Sequence, residues 1–205
     1  MKKSILTLIT VAAVFSISLC SCNNKSDNDK ITSEKSSYTA SNDPIQAFSD
    51  YFDAFFSNDA VTVIDITTPS AYLEEMKTNG TYDTLVTQTQ DIMIKYSLDA
   101  FKEKYGDDVS IVLKEQLSST PLTAEQLNDA LECYKASYGS YKSQITIAEG
   151  YEITYTYIIG GSESSEEISE TACFVKPEND CWKMLPVTAA TLSEYKNAQG
   201  LLYQQ

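Results

Sequence analysis

Between Pro44 and Phe56 apolar residues return at helical spacing, with Ile45, Phe48, Phe52 and Phe55 on one stripe, Tyr51 and Phe56 widening it, and Gln46, Asp50 and Asp53 facing away. That pattern predicts an amphipathic helix. Asp43-Pro44 opens it, because an aspartate can cap the free backbone N–H groups and proline is tolerated in the first turn. Asp59 is placed to cap a second, short helix through Val61, Ile64 and Asp65, and Thr68-Pro69 repeats the signal before Tyr72, Leu73 and Met76. Asn79-Gly80 ends that third helix. Tyr82, Leu85, Val86, Met93, Tyr96, Ala100 and Phe101 then hold one helical period as far as Gly106, a natural left-handed terminator.

The period then shortens. Val109, Ile111 and Leu113 alternate as a strand, Pro121 with Thr123 opens a helix through Leu127, Leu131 and Tyr134, and Gly139 closes it. Ile145, Ile147, Tyr151, Ile153, Tyr155, Tyr157 and Ile159 share one parity, which predicts two strands joined by a hairpin at Ala148-Glu149-Gly150. Gly160-Gly161 begins a longer turn, and residues 168–176 and 181–187 read as two more strands around Pro177-Glu178-Asn179-Asp180. The order predicted is helices, one strand, a helix and a four-stranded antiparallel meander, an α+β arrangement with the sheet curled over the N-terminal helices. This domain spans 43–187, and the tail 188–205 either adds a helix through Leu192, Tyr195 and Leu201 or frays.

The first 42 residues follow a different logic. Lys2 and Lys3 precede an apolar stretch from Ile5 to Leu19 that is short for a helix crossing a bilayer and has the form of an export signal. Leu19-Cys20-Ser21-Cys22 resembles the bacterial lipobox: an aliphatic residue, then a small residue directly before the cysteine that is kept. Cys20 lacks that small predecessor, so Cys22 is the expected lipidation site. Residues 1–21 are then the lipoprotein signal peptide and residues 22–42, polar and without periodicity, a disordered tether. The resemblance implies a diacylglyceryl thioether on Cys22. It places the domain outside the cytoplasm, held to the cell membrane by lipid.

Charge narrows the partners. The chain carries a formal charge of -14, and loss of Lys2 and Lys3 with the signal makes it more negative still. Such a surface repels phosphate, which argues against nucleic acid. The chain has no histidine, which removes His-dependent triads and His-ligated zinc. No phosphate-cradling loop, nucleophile elbow or paired C-x-x-C stands in the sequence, and no cofactor or metal is called for.

The helix at Pro44 to Phe56, the segment ITIAEGYEITYTYI and the ending FVKPENDCWKML together resemble NTF2-like (cystatin-like) domains. That resemblance implies a conical cavity between the sheet and the helices. Tyr151, Tyr155 and Tyr157, with Phe174 and Trp182 on neighbouring strands, are the candidate ligand-binding residues for it, although such a row is more often simply core. Asp65 with Tyr155 is the candidate acid–tyrosine pair if the domain is an enzyme. Glu163, Glu166, Glu167 and Glu170 crowd one hairpin as a solvated charged turn, and Cys173 with Cys181 is a possible disulfide across the last turn. The expectation is a tethered, non-catalytic binding module for a small apolar ligand or an envelope protein. An NTF2-like enzyme and a structural or assembly factor are the alternatives.

Overall fold

A computed structural model describes residues 43–138 and 141–196, without the side chains of Ile92, Met93 and Tyr96. The segments read as signal peptide and tether, with Cys22, and also Gly139 and the end of the tail with Leu201, lie outside the described residues. Helix α1 (Pro44–Phe56) begins as expected, with Asp43 Oδ1 accepting from Ile45 N at 2.9 Å. Helix α2 (Ala60–Thr67) is capped by Asp59, which accepts from the Thr62 backbone at 3.1 Å and from its hydroxyl at 2.7 Å. Helix α3 (Ser70–Asn79) departs from the local rule. Thr68 does not cap it but shares a 2.9 Å hydrogen bond with the Tyr138 hydroxyl. The start of α3 is satisfied from 110 residues away, where the Asp180 carboxylate accepts from Ser70 N and Ser70 Oγ, both at 2.8 Å.

The long helix expected to Gly106 is a continuous helical run with a change of winding inside it: α4 (Tyr82–Gln88), a π-helical segment Thr89–Lys95, and α5 (Tyr96–Tyr105). Gly106 ends it at φ +84°, ψ -164°, a backbone region essentially reserved for glycine. The hairpin loop around Gly161 packs on this helix end. Glu163 N donates to the Tyr105 carbonyl at 2.9 Å and Ser162 N to the Asp107 carbonyl at 2.8 Å, so carbonyls at and beyond the helix C-terminus find partners. A Cβ at Gly106 would lie 2.7 Å from Glu163 Cγ and 2.9 Å from Glu163 N. Gly106→Ala is therefore expected to cost about 3 kcal/mol, strain and clash together. Urea unfolding of the variant measures it, and a loss below about 0.5 kcal/mol would show that this junction bears no strain.

Four strands form one antiparallel sheet in the order β1 (Ser110–Pro121), β2 (Ile147–Gly160), β3 (Ser165–Pro177), β4 (Lys183–Leu185), with α6 (Ala124–Tyr138) between β1 and β2. Two expectations need correction. No hairpin forms at Ala148-Glu149-Gly150; β2 runs straight through, with one register shift between Ile147 and Glu149. Parity alone fits both outcomes, and the partner decided it, because β3 reaches Pro177 and pairs the whole length. Gly150 serves close approach instead, since a Cβ there would lie 2.9 Å from Leu122 Cδ1 and Leu127 Cδ2. The last strand is also shorter than 181–187, because Asp180 and Cys181 are taken up by the contacts of the turn.

The odd-numbered residues of β2 face α1 and are buried: Ile153, Tyr155, Tyr157 and Ile159. Phe48 stacks on Tyr155 with centroids 4.4 Å apart, and Phe52 packs on Tyr157 at 5.7 Å. The even-numbered face is polar where it is open, with hydroxyl pairs Thr154–Thr171 (2.9 Å) and Thr156–Ser169 (3.1 Å) across β2 and β3. At its other end this face meets Leu122 and Leu127, and Glu152 accepts from Ala189 N at 2.7 Å. The tail begins a helical turn at Leu192, which is buried. Among the described residues no helix is long and apolar enough to cross a membrane.

Candidate functional site

The aromatic row singled out in the sequence lies in packed core. Tyr155, Tyr157 and Phe174 are fully buried, Trp182 nearly so, and Tyr151 is half-buried against Trp182 with centroids 5.8 Å apart. Phe48 and Phe174 hold Tyr155 from two sides. The space that the NTF2-like resemblance assigns to a cavity is filled here by α1 aromatics. Burial pushes the Tyr157 phenol above its ordinary range, with Glu170 adding to the effect, and its hydroxyl donates to Glu170 Oε2 at 3.1 Å. A phenol so raised stays protonated at neutral pH. The Tyr155 hydroxyl is buried and has no hydrogen-bond partner among the described residues. Tyr155→Phe, which removes only that orphan group, is expected to raise stability by up to about 1 kcal/mol. A loss of 1 kcal/mol or more in thermal unfolding would mean that the hydroxyl has a partner.

Asp65 and Tyr155 do not form a site together. The acid whose charge bears on Tyr155 is Asp43, whereas the Asp65 carboxyl is raised by burial, against the opposing effect of the Lys183 and Lys77 charges. Lys183 is the centre of a different cluster, one that sequence reasoning missed. It is 1% exposed, donates to the Asp65 carbonyl at 2.8 Å and lies 3.3 Å from Asp180 Oδ1. Burial opposes ionisation of Asp180, but the Lys183 charge and the hydrogen bonds from Ser70 and Cys181 outweigh it and hold the carboxyl below its usual range. The available signal was the short motif Asp180-Cys181-Trp182-Lys183, an acid and a base three residues apart beside a tryptophan.

Cys173 and Cys181 are both free thiols. The register explains why no bridge joins them. Cys173 stands opposite Leu185, four residues past Cys181, and at roughly 3.3 Å per strand residue that offset exceeds the ~7 Å limit for a disulfide. Burial pushes the thiols of Cys133 and Cys173 up to about 12, so both are inert at neutral pH. On the hairpin, Glu166 accepts hydrogen bonds from Lys104 and the Tyr105 hydroxyl, and Glu170 is buried with Tyr157. The acidic hairpin is thus partly a packing element rather than a wholly solvated turn. Among the described residues no group of three or more Cys, Asp or Glu side chains could hold a metal ion.

Beyond the β4 edge, among α2, α4 and α6, lies a cavity of about 70 Å³. Val63, Leu85, Met184 and Leu185 contribute its apolar wall, and Thr68, Thr89, Tyr134 and Tyr138 bring hydroxyl-bearing side chains to it. At the opposite edge of the sheet, β1 presents Val112 (57% exposed) and Leu117 (52%). Val112 stands opposite the half-buried Ile158 and shares its face, the one turned away from α1. The chain matches no protein-family model, no curated protein and no solved structure.

Proposed function

We propose that this chain is an exported lipoprotein, anchored to the cell membrane through lipid on Cys22, whose NTF2-like domain is a non-catalytic module that docks an envelope protein. The observation that carries the docking reading is the exposure of Val112 and Leu117 on an edge strand of a domain whose helix–sheet interface is otherwise filled. Val112 lies opposite the half-buried Ile158 on the face that carries the Thr154–Thr171 and Thr156–Ser169 hydroxyl pairs, and Leu117 stands at the second register shift of the same strand. The two register shifts in β1 and the charge of Lys114 discourage pairing of another strand along its backbone. Contact is therefore made by side chains, and a partner with an apolar anchor and a basic rim fits the acidic chain.

The test is a photo-crosslinking residue placed at Val112 or Leu117 in the native host, compared with one at the exposed Glu125 on α6. A discrete crosslinked species from positions 112 and 117 but not 125 is the expected result. Equal labelling at all three, or none, overturns the docking surface without touching the lipid anchor.

A further inference from the structure

We infer that the outer edge of β3 from Glu167 to Thr171 is a strand-addition site that takes an extended, basic peptide segment, separate from the side-chain surface on β1. β4 covers only part of that edge: it pairs with Cys173, Phe174 and Val175, and Cys173 N donates to the Val187 carbonyl at 2.9 Å. That bond fixes which way the backbone faces. Along an antiparallel strand the N–H and C=O groups of alternate residues point to the same side, so those of Thr171, Ser169 and Glu167 point outward with those of Cys173. Among the described residues none of these three outward pairs of groups has a partner. Backbone groups stay unpaired where water reaches them, and Glu167 and Ser169 are exposed.

The molecule treats its two edges differently. β1 is broken by two register shifts, whereas β2 and β3 pair without interruption from Glu149 to Gly160 and from Ser165 to Lys176. The uncovered part of β3 is thus a regular template, without the bulge that turns an incoming strand away. An added strand continues the line of β4, antiparallel to β3, and main-chain hydrogen bonds supply its affinity. The flanking side chains set its chemistry. Glu166 and Glu170 are taken by Lys104, Tyr105 and Tyr157, but Glu167 is exposed and enters no ion pair among the described residues. A lysine or arginine opposite Glu167 is favoured, and the next side chain of the added strand meets the half-buried Ile168, which suits an apolar residue. A second copy of this chain, with its formal charge of -14, is repelled instead.

Amide hydrogen exchange of isotopically labelled full-length protein reads the edge directly. The probes are an end-blocked Lys-Val-Lys-Val-Lys-Val-Lys peptide, its counterpart with glutamate for lysine, and the Lys-Val peptide N-methylated throughout. In the free protein the amides of Glu167, Ser169 and Thr171 are expected to exchange fast, and those of Ile168 and Glu170, which face β2, slowly. Saturating Lys-Val peptide is expected to slow the three outward amides by about tenfold, and the other two peptides to leave them unchanged. Ser169→Pro removes the central outward N–H at a position where an edge strand tolerates proline, and is expected to abolish the slowing at Glu167 and Thr171. Glu167→Lys is expected to weaken the Lys-Val peptide about fivefold, and it keeps the test decisive if Ser169→Pro fails to fold. The inference is overturned if the three amides are already slow in the free protein, if no peptide slows them, if all three peptides act alike, or if the protection appears along β1 instead.

Discussion

Asp180→Ala is expected to destabilise the domain by about 3–5 kcal/mol, because it strands a buried ammonium and uncaps a helix in one step. Lys183 loses its carboxylate partner, and Ser70 N and Oγ lose the acceptor that starts α3. Asp180→Asn separates the two contributions: the amide oxygen can still accept from Ser70, so the charge is lost while much of the cap survives. Equilibrium urea unfolding of both variants measures the difference. An Asp180→Ala cost below 1 kcal/mol would show that the ion pair is not closed.

The same cluster fixes a pH dependence. A carboxyl held below its unfolded value of about 3.9 contributes stability that is complete above that pH and disappears as the pH falls through the folded value. Stability is therefore expected to drop on acidification below about pH 4. Asp180→Asn should shallow that drop. Asp65 works in the opposite direction, since burial raises its carboxyl and ionising it costs stability as the pH rises.

Phe48→Ala is the second large effect, with an expected loss of about 3–5 kcal/mol. Phe48 is fully buried and contacts Phe52, Tyr155 and Tyr157, so truncation opens a void where α1 meets the sheet. The change also bears on function. A loss below about 1 kcal/mol, with added uptake of an apolar dye, would mean that the sheet–helix space is already open, as the NTF2-like resemblance implies, and that the aromatic row lines a pocket.

Local chemistry made much of the fold legible. Asp43 and Asp59 cap the helices they were expected to cap, and the alternation through Tyr155 and Tyr157 located the buried face of β2. Residues whose partner lies far along the chain were misread for one shared reason. Thr68 looked like a cap, but Asp180 competes for the start of α3 and Tyr138 takes the Thr68 hydroxyl. Gly150 looked like a turn until β3 supplied a partner on both sides of it. The candidate site was less legible still. Tyr134 reads in the sequence as one more member of a helical stripe, and only packing reveals that its hydroxyl is buried without a partner among the described residues. Lys183 reads as a surface charge, because no periodicity announces that Asp180 and the Asp65 carbonyl enclose it.

The proposed placement of the protein at a membrane depends on one covalent event at position 22, and mass spectrometry of the amino-terminal peptide from membrane-extracted protein tests it most directly. The account requires that peptide to begin at Cys22 and to carry a diacylglyceryl group. A peptide beginning at Met1 or at any other residue, or an unmodified Cys22, would contradict it.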